Sequence, residues 1–347
     1  MPPTWFIVRP MNTPLERRRL GASDAALSAI GFGCMGLVGW YGTRDDAEST
    51  ATLLESLDAG MNHFDTAASY QVGENEKFVG QVLKPHRNRV FLASKCGLAR
   101  GPDGSAMADN RPATIRASLD ASLARLGFDH IDLFYLHRID ATVPIEESAG
   151  TLADLVKDGK IRHIGLSECS VATLRRAAAV HPIAAVQTEY SIWSRDPEAG
   201  TLQACRELGT TFVAYSPLGR GFLAGNFAKL DELPANDNRR NQPRFQDAVA
   251  AHNAALVQTL RDIGASLGGA SAAQVAIAWV LAQAPHIVTI PGMKTRAHLR
   301  DNLAAGRLTL TAGHIATINA RAAAIGIQGE RHPPAMMKII DRQGDEQ

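Results

Sequence analysis

The sequence predicts an α/β protein of one domain, a closed (β/α)8 barrel of the TIM type. Three observations carry that prediction. Short apolar runs of β character alternate with longer amphipathic stretches along most of the chain, eight such runs occur, and no Pro/Gly/Ser-rich linker divides the 347 residues. Alternating strands and helices build a parallel sheet, and eight consecutive βα units favour closing that sheet on itself over leaving it open. With 45% hydrophobic and 20% charged residues, the chain has the apolar surface that such a core needs.

Strands are expected at 29–33, 61–65, 90–94, 131–136, 161–166, 184–187, 211–215 and 286–290. Several are continuous apolar runs, as parallel strands buried on both faces are. Helices are expected at about 45–59, 74–84, 112–126, 145–158, 170–180, 198–208, 251–284 and 295–304, with a last one at about 311–324. In the third of these, Ile115, Leu119, Ser122, Leu123 and Leu126 share one face, and Gly127 stands at the stop position. Ser271-Ala-Ala-Gln274 has the form of a capping box ahead of the apolar run 275–281, so 251–284 should divide into two helices. Residues 1–16 read as a loose extension in which Met11 is a second candidate start, 17–330 as the barrel, and 331–347 as a C-terminal tail. The longest unpatterned stretch is 216–250, a length that usually carries function.

Lys plus Arg number 36 and Asp plus Glu 35, a net charge of +1 that builds no field for nucleic acid or for an anionic membrane surface. No run approaches the ~20 apolar residues of a membrane span, and Trp5-Phe6-Ile7-Val8 is too short for the apolar region of a signal peptide. A cytoplasmic location is expected. Cys34, Cys96, Cys169 and Cys205 lack both disulfide-framework and zinc-ligand spacing, so reduced thiols and no metal centre are expected.

Gly31-Phe-Gly33-Cys-Met-Gly36 fits the G-x-G-x-x-G fingerprint of an open dinucleotide-binding sheet, which would make the protein an open-sheet dehydrogenase. That fingerprint needs a helix N-terminus directly behind it to hold the pyrophosphate. Here Gly39 and Gly42 follow, a poor helix start, and a barrel strand ending in a glycine-rich loop accounts for the same residues.

Reactive groups of a (β/α)8 barrel sit at the C-terminal ends of its strands. Asp65 closes the second strand, Tyr70 lies five residues on, Lys95 closes the third and His137 the fourth. Each taken singly has an ordinary structural reading; four compatible groups on three adjacent strand ends point to one site. A lysine ammonium beside a tyrosine favours the phenolate and lowers the tyrosine pKa, an aspartate would hold that lysine, and a histidine able to donate a hydrogen bond would polarise a carbonyl oxygen. The set offers no nucleophile, metal cage or carboxylate pair. It suits delivery of a proton to a carbonyl oxygen, half of a carbonyl reduction whose other half is hydride from a nicotinamide.

Phe64-Asp65-Thr66-Ala67-Ala68-Ser69-Tyr70, Gly73-Glu74-Asn75-Glu76, Ser94-Lys95, Ile131-Asp132-Leu133-Phe134-Tyr135-Leu136-His137-Arg138 and Ile164-Gly165-Leu166-Ser167 closely resemble the signatures of the aldo-keto reductases, in unbroken order from about Arg19 to Asn302. Gln187 to Arg195 and the loop after the seventh strand resemble the bacterial and fungal branch near pyridoxal reductases and potassium-channel β subunits. The resemblance implies a barrel that binds NADPH, with NAD(H) as the alternative, and a tetrad of Asp65, Tyr70, Lys95 and His137 acting on a small aldehyde or ketone. It implies cofactor contacts at Gly33, Cys34 and Met35 after the first strand, with Asp65 beside them. Ser167 and Gln187 would hold the nicotinamide carboxamide, and Tyr215 would stack on the ring. Ser216, Pro217, Leu218, Gly219, Arg220 and Gly221 would run over the pyrophosphate. Pro291, Gly292, Lys294, Thr295, His298, Asp301 and Asn302 would hold the adenosine phosphate and adenine. Trp40 and Tyr41 are candidates for the substrate wall, and residues 97–110 and the chain after Gly326 are expected to frame the pocket. Two positions depart from the pattern: Glu168 stands where many members carry Asn and cannot donate when ionised, and His298 stands where many carry Arg. The rival reading from another class is an NADPH-binding redox sensor or partner subunit with little turnover. Oligomeric state is left open.

Overall fold

A computed structural model describes residues 14–101, 105–225 and 230–342. Met11 and most of the 1–16 extension lie outside the described residues, as do parts of the 97–110 and 216–250 loops and the end of the tail. The barrel strands are β1 (Phe32–Gly33), β2 (His63–Asp65), β3 (Phe91–Cys96), β4 (Ile131–Leu136), β5 (Ile161–Ser167), β6 (Ile183–Glu189), β7 (Thr211–Tyr215) and β8 (Ile287–Ile290). They form one eight-stranded parallel sheet in sequence order. Parallel bridges Ile30 to Thr289 and Gly33 to Gly292 join its first and last strands and complete the ring. At that seam a Cβ on Gly33 would lie 2.5 Å from the Ile290 carbonyl oxygen, so only glycine lets the two strands close.

The helices are α1 (Asp46–Asp58), α2 (Glu74–Leu83), α3 (Pro112–Leu126), α4 (Ile145–Lys157), α5 (Val171–Val180), α6 (Thr201–Glu207), α7 (Asp247–Ser266), α8 (Ala272–Ala282), α9 (Arg296–Ala305), α10 (Ala312–Ile325) and a short α11 (Pro334–Met337). Helix α3 buries Ile115, Leu119, Ser122 and Leu126 and ends where Gly127 takes φ 67°, a left-handed conformation that glycine adopts without strain. The Ser271 side chain accepts from the Gln274 amide and starts α8, so the long apolar stretch does divide in two. No helix follows the glycine motif directly: Cys34–Val38 forms a single 3-10 turn and α1 begins only at Asp46.

Two hairpins were not foreseen. Arg17–Arg19 pairs with Ala26–Ser28, and Leu98–Arg100 with Ala106–Ala108. The first hairpin caps the N-terminal mouth. Leu20 and Leu27 reach into the barrel interior beside Leu133, Val213 and Val288, and the Gly21 amide donates to the Thr211 hydroxyl at 2.7 Å. With that end plugged by apolar side chains, the interior is open to polar chemistry only at the C-terminal rim. Residues 331–340, the start of the tail, pack against this rim through buried Arg331, His332 and Ile340. Among the described residues no helix is long and apolar enough to cross a membrane, and all four cysteines are buried and free.

Candidate active site

The ends of β2, β3 and β4 bring Asp65, Lys95 and His137 together, and the loop after β2 adds Tyr70. That loop is tied to β3 by the Thr66 amide on the Ala93 carbonyl at 2.9 Å and the Ala68 amide on the Lys95 carbonyl at 3.1 Å. Immediately after Tyr70, Gln71 and Val72 take φ 48° and 53°. Two successive non-glycine residues in the left-handed region store strain of about 1–3 kcal/mol each, a pattern that clusters at functional sites. The loop holds because Asn75 and Glu76 are fully buried beneath it. Asn75 accepts from the Thr66 hydroxyl at 2.6 Å and donates to the Cys34 carbonyl at 2.8 Å, while Glu76 accepts from the Ser94 hydroxyl at 2.6 Å and from Arg125 at 2.7 Å.

The Lys95 ammonium spends its three hydrogens on Asp65, on the Thr66 carbonyl at 2.8 Å and on the Tyr70 hydroxyl at 3.3 Å. The other Asp65 oxygen accepts from the Gln187 amide at 2.8 Å, so Gln187 braces the aspartate, a link that the sequence did not reveal. Burial pulls the Lys95 pKa below the usual lysine value against the attraction of Asp65. The Tyr70 pKa moves opposite to expectation. Burial raises it well above the usual phenol value and the Asp65 carboxylate raises it further, against the lowering effect of the Arg138 charge. His137 shares a 3.2 Å hydrogen bond between Nδ1 and the Ser69 hydroxyl, and its ring meets that of Tyr70 edge-on at 5.9 Å. Burial, with the charges of Arg138 and Lys95, holds His137 far below the usual histidine pKa, so it is neutral.

A second cluster lies across the rim. Glu168, at φ 54°, is 2% exposed and receives both terminal nitrogens of Arg331 at 2.7 Å. Its Oε1 also accepts the Tyr215 hydroxyl at 2.7 Å and the Glu189 amide at 3.1 Å. This buried carboxylate is thus occupied by a cation from beyond α10. Burial works to raise its pKa, yet the Arg331 guanidinium holds it far below the carboxylate range. Glu189 pairs with Arg220 at 2.9 Å, and His332 bridges Arg220 and Tyr215 at 3.2 Å each.

The remaining residues assigned from the sequence are placed as follows. Ser167 is buried at the end of β5, Cys34 is buried, and Met35 and Tyr215 are half-buried. Ser216, Gly219, Arg220 and Gly221 all take positive φ and fold the 216–221 loop, with Pro217 and Leu218, back over the rim. Asp237 accepts from the Gly42 amide at 2.9 Å, the Asn238 amide donates to the Trp40 carbonyl, and the Arg239 guanidinium stacks over the Tyr41 ring at 5.5 Å; half-buried Trp40 and Tyr41 therefore sit where the loops after β1 and β7 meet. Lys294 donates to the Tyr41 and Thr43 carbonyls at 2.5 and 2.6 Å; the Asp237 and Asp45 carboxylates act on its charge, but none is hydrogen-bonded to it among the described residues. Thr295 caps α9 through the His298 amide, and the His298 side chain is exposed. Asp301 accepts from Ser271 and Gln274, tying α9 to α8, and Asn302 reaches the carbonyl of Gly292 beyond Pro291.

Comparison with known proteins agrees with the barrel fold. The family model described as "Aldo/keto reductase family" matches residues 29–323. The chain is 41% identical over 326 residues to the aldo-keto reductase yakc [NADP(+)] of Schizosaccharomyces pombe, covering 92% of this chain and 95% of that one. It is 40% identical to the aldo-keto reductase str7 of Strobilurus tenacellus, with 94% and 98% covered. Among solved structures, the glycerol dehydrogenase AKR11B4 of Gluconobacter oxydans superposes with a TM-score of 0.81 at 29% identity, over 92% of this chain and 98% of that one. The aldo-keto reductase AKR11C1 of Bacillus halodurans gives 0.71 at 27%, over 88% and 96%. The barrel, the four groups on its rim and these matches lead to one conclusion: the chain belongs to the aldo/keto reductase family.

Proposed function

We propose that the protein is an NADPH-dependent reductase of small aldehydes or ketones, working in the cytoplasm, with Tyr70 as the proton donor. The observation that carries the reading is a half-buried phenol 3.3 Å from a buried ammonium, at the one polar mouth of the barrel.

The residues present fit a nicotinamide dinucleotide. Tyr215 and Ser167 stand at the ends of β7 and β5, on either side of β6, and buried donors without a protein partner, Arg220 Nη1 and Trp193 Nε1, lie along the 216–221 loop. Lys294, with its ammonium on carbonyl oxygens alone, is the cation for a 2′-phosphate, in keeping with the NADP(+) in the name of the fission-yeast relative. When bound, the reduced nicotinamide supplies the hydride that the protein's own side chains lack.

Every other step falls to the chain. Tyr70 enters the reaction protonated, because burial and Asp65 hold its proton in place. As negative charge grows on the carbonyl oxygen, Tyr70 gives up that proton and Lys95 stabilises the phenolate left behind. Asp65, held by Gln187, keeps Lys95 aimed. In the tautomer in which Ser69 donates to Nδ1, neutral His137 carries its proton on Nε2 and donates it to the same oxygen. Tyr70→Phe should lower kcat by about 10²–10⁴, the span of general acid catalysis, while NADPH affinity, read from its fluorescence on binding, stays within twofold. A mutant as active as the parent removes Tyr70 from the mechanism. A parent that oxidises bound NADPH at most once, slowly, in stopped flow with simple aldehydes and quinones supports the sensor reading instead.

A further inference from the structure

Three carboxylates buried at the ends of barrel strands each face a cation: Asp65 meets Lys95, Glu168 meets Arg331 and Glu189 meets Arg220. A fourth buried cation has no such partner. Arg138, the residue after His137, is 4% exposed. Arg331, equally buried, holds a bidentate carboxylate. Arg138 makes one hydrogen bond among the described residues, from Nη1 to the carbonyl oxygen of His137 at 2.6 Å, and its Nε has no partner at all. Neighbouring Asp140 does not reach it, being occupied by the Asn110 amide and by Thr142. The rim carboxylates are held by their own cations and cannot turn to it. Its hydrogen bond to the His137 carbonyl keeps Arg138 at the end of β4, and its charge is felt at Tyr70, Lys95, His137, Glu168 and Tyr215 on the same rim.

Keeping a guanidinium out of water with no carboxylate hydrogen-bonded to it is costly, and an apolar residue would fill the same space at less expense. Its planar fork matches a carboxylate with two parallel hydrogen bonds. We propose that Arg138 recognises a carboxylate on the substrate, and that the preferred substrates are carbonyl compounds bearing a carboxylate one or two bonds from the reacting carbon, 2-oxo acids foremost. The short spacing follows from the position of Arg138 next in the chain to His137, the residue that orients the carbonyl oxygen. This inference rests on the carbonyl-reductase reading above. The carboxylate is a handle and undergoes no change: the carbonyl carbon takes the hydride of the reduced nicotinamide, its oxygen takes the Tyr70 proton, and a 2-hydroxy acid and the oxidised cofactor leave.

Phenylglyoxylate and its methyl ester share a carbon frame and differ in charge, so the ratio of their kcat/KM values isolates recognition of the carboxylate. Replacing Arg138 by Leu should lower the acid-to-ester ratio about tenfold or more, chiefly through KM for the acid, and Arg138→Lys should recover part of it. Binding of phenylglyoxylate to the complex with NADP+, followed calorimetrically, should weaken by a similar factor in Arg138→Leu. Thermal unfolding of both variants separates a recognition defect from a folding defect, since Arg138→Lys keeps the charge. An acid-to-ester ratio unchanged in Arg138→Leu overturns the inference. So does a loss of NADPH affinity with the ratio intact, which would assign Arg138 to the cofactor, and so does a parent enzyme that reduces benzaldehyde yet neither binds nor reduces the acid. A parent that oxidises NADPH with none of the three compounds overturns the carbonyl-reductase reading itself.

Discussion

Replacing Arg331 by Met removes the cation that permits Glu168 to be ionised inside the rim. In the intact protein the side chains of Arg331 and Glu168 are 5% and 1% exposed and meet through two 2.7 Å hydrogen bonds. The carboxylate would be left with two neutral donors, the Tyr215 hydroxyl and the Glu189 amide. Breaking a buried pair from one side costs about 3–5 kcal/mol, because the surviving charge is neither solvated nor compensated. Removing both charges should cost far less. In a Glu168→Gln, Arg331→Met double variant the amide oxygen still accepts from Tyr215, and neutral replacements of buried pairs are often close to neutral in stability. Chemical unfolding at pH 7 is the assay, and the expected pattern is a single Arg331→Met variant about 3–5 kcal/mol less stable than the parent, with the double variant recovering most of that loss.

The pH dependence gives an independent reading of the same pair. Glu168 titrates far below the usual carboxylate range in the folded protein, so its stabilisation is present above the unfolded-state pKa and is lost as pH falls toward the folded value. In Arg331→Met the largest part of that depression is lost, with only the Arg138 charge and the Tyr215 hydrogen bond still lowering it, and protonation relieves the stranded charge. The deficit of the single variant should therefore shrink as the pH is lowered below about 5. Equal losses in the single and double variants, unchanged by pH, would refute the reasoning, since they would mean that Arg331 contributes packing alone.

Two further outcomes follow from residues at the rim and at the opposite end. Lys294→Ala should weaken NADPH binding by about tenfold while leaving NADH little changed, because only the former carries the 2′-phosphate; equal effects on both, measured by fluorescence titration, would remove the lysine from that role. His63 is wholly buried near the N-terminal mouth with neither ring nitrogen bonded, and burial lowers its pKa to about 4. It is neutral when folded, so stability is complete above the unfolded value near 6.5 and declines by about 3 kcal/mol as pH falls to 4; His63→Leu should flatten that slope in unfolding measurements made between those limits.

The barrel was legible because its strands are buried on both faces and so read as uninterrupted apolar runs, and because Ser271 and Gly127 mark helix ends by side-chain and backbone chemistry. The hairpin at 17–28 was not. Arg17-Arg18-Arg19 reads as a solvated basic cluster, and only the partner strand, with Leu20 and Leu27 turned into the barrel, makes it structure. The tetrad was legible for a different reason: fold class assigns strand ends to one rim, so polar residues at those ends must meet. The Tyr70 pKa could not be read the same way. Its sign depends on burial and on the balance of the Asp65 and Arg138 charges around it, and neither quantity is written in residue type or spacing.

Arg331 and Arg138 show where such reading stops and what extends it. Glu168 reads from the sequence as a lost hydrogen-bond donor, but a carboxylate expected at a buried strand end also demands a cation, and that demand is a signal available without coordinates. The cation lies 163 residues away on a segment with no periodic pattern, so the sequence poses the question without locating the answer. Each rim pair joins different parts of the chain: Asp65 with Lys95 links β2 to β3, Glu168 with Arg331 links β5 to the chain after α10, and Glu189 with Arg220 links β6 to the loop after β7. The proposed reaction centre is therefore ringed by charges already paired and fixed in place, and negative charge arriving on a substrate would meet the groups with capacity left for it, the Tyr70 proton, the His137 Nε2 proton and the Arg138 guanidinium. Preorganised electrostatics of this kind favours the state in which charge develops over the one before it; in the proposed reaction a phenol with a raised pKa would serve as proton donor where the phenolate that a lone lysine creates could not.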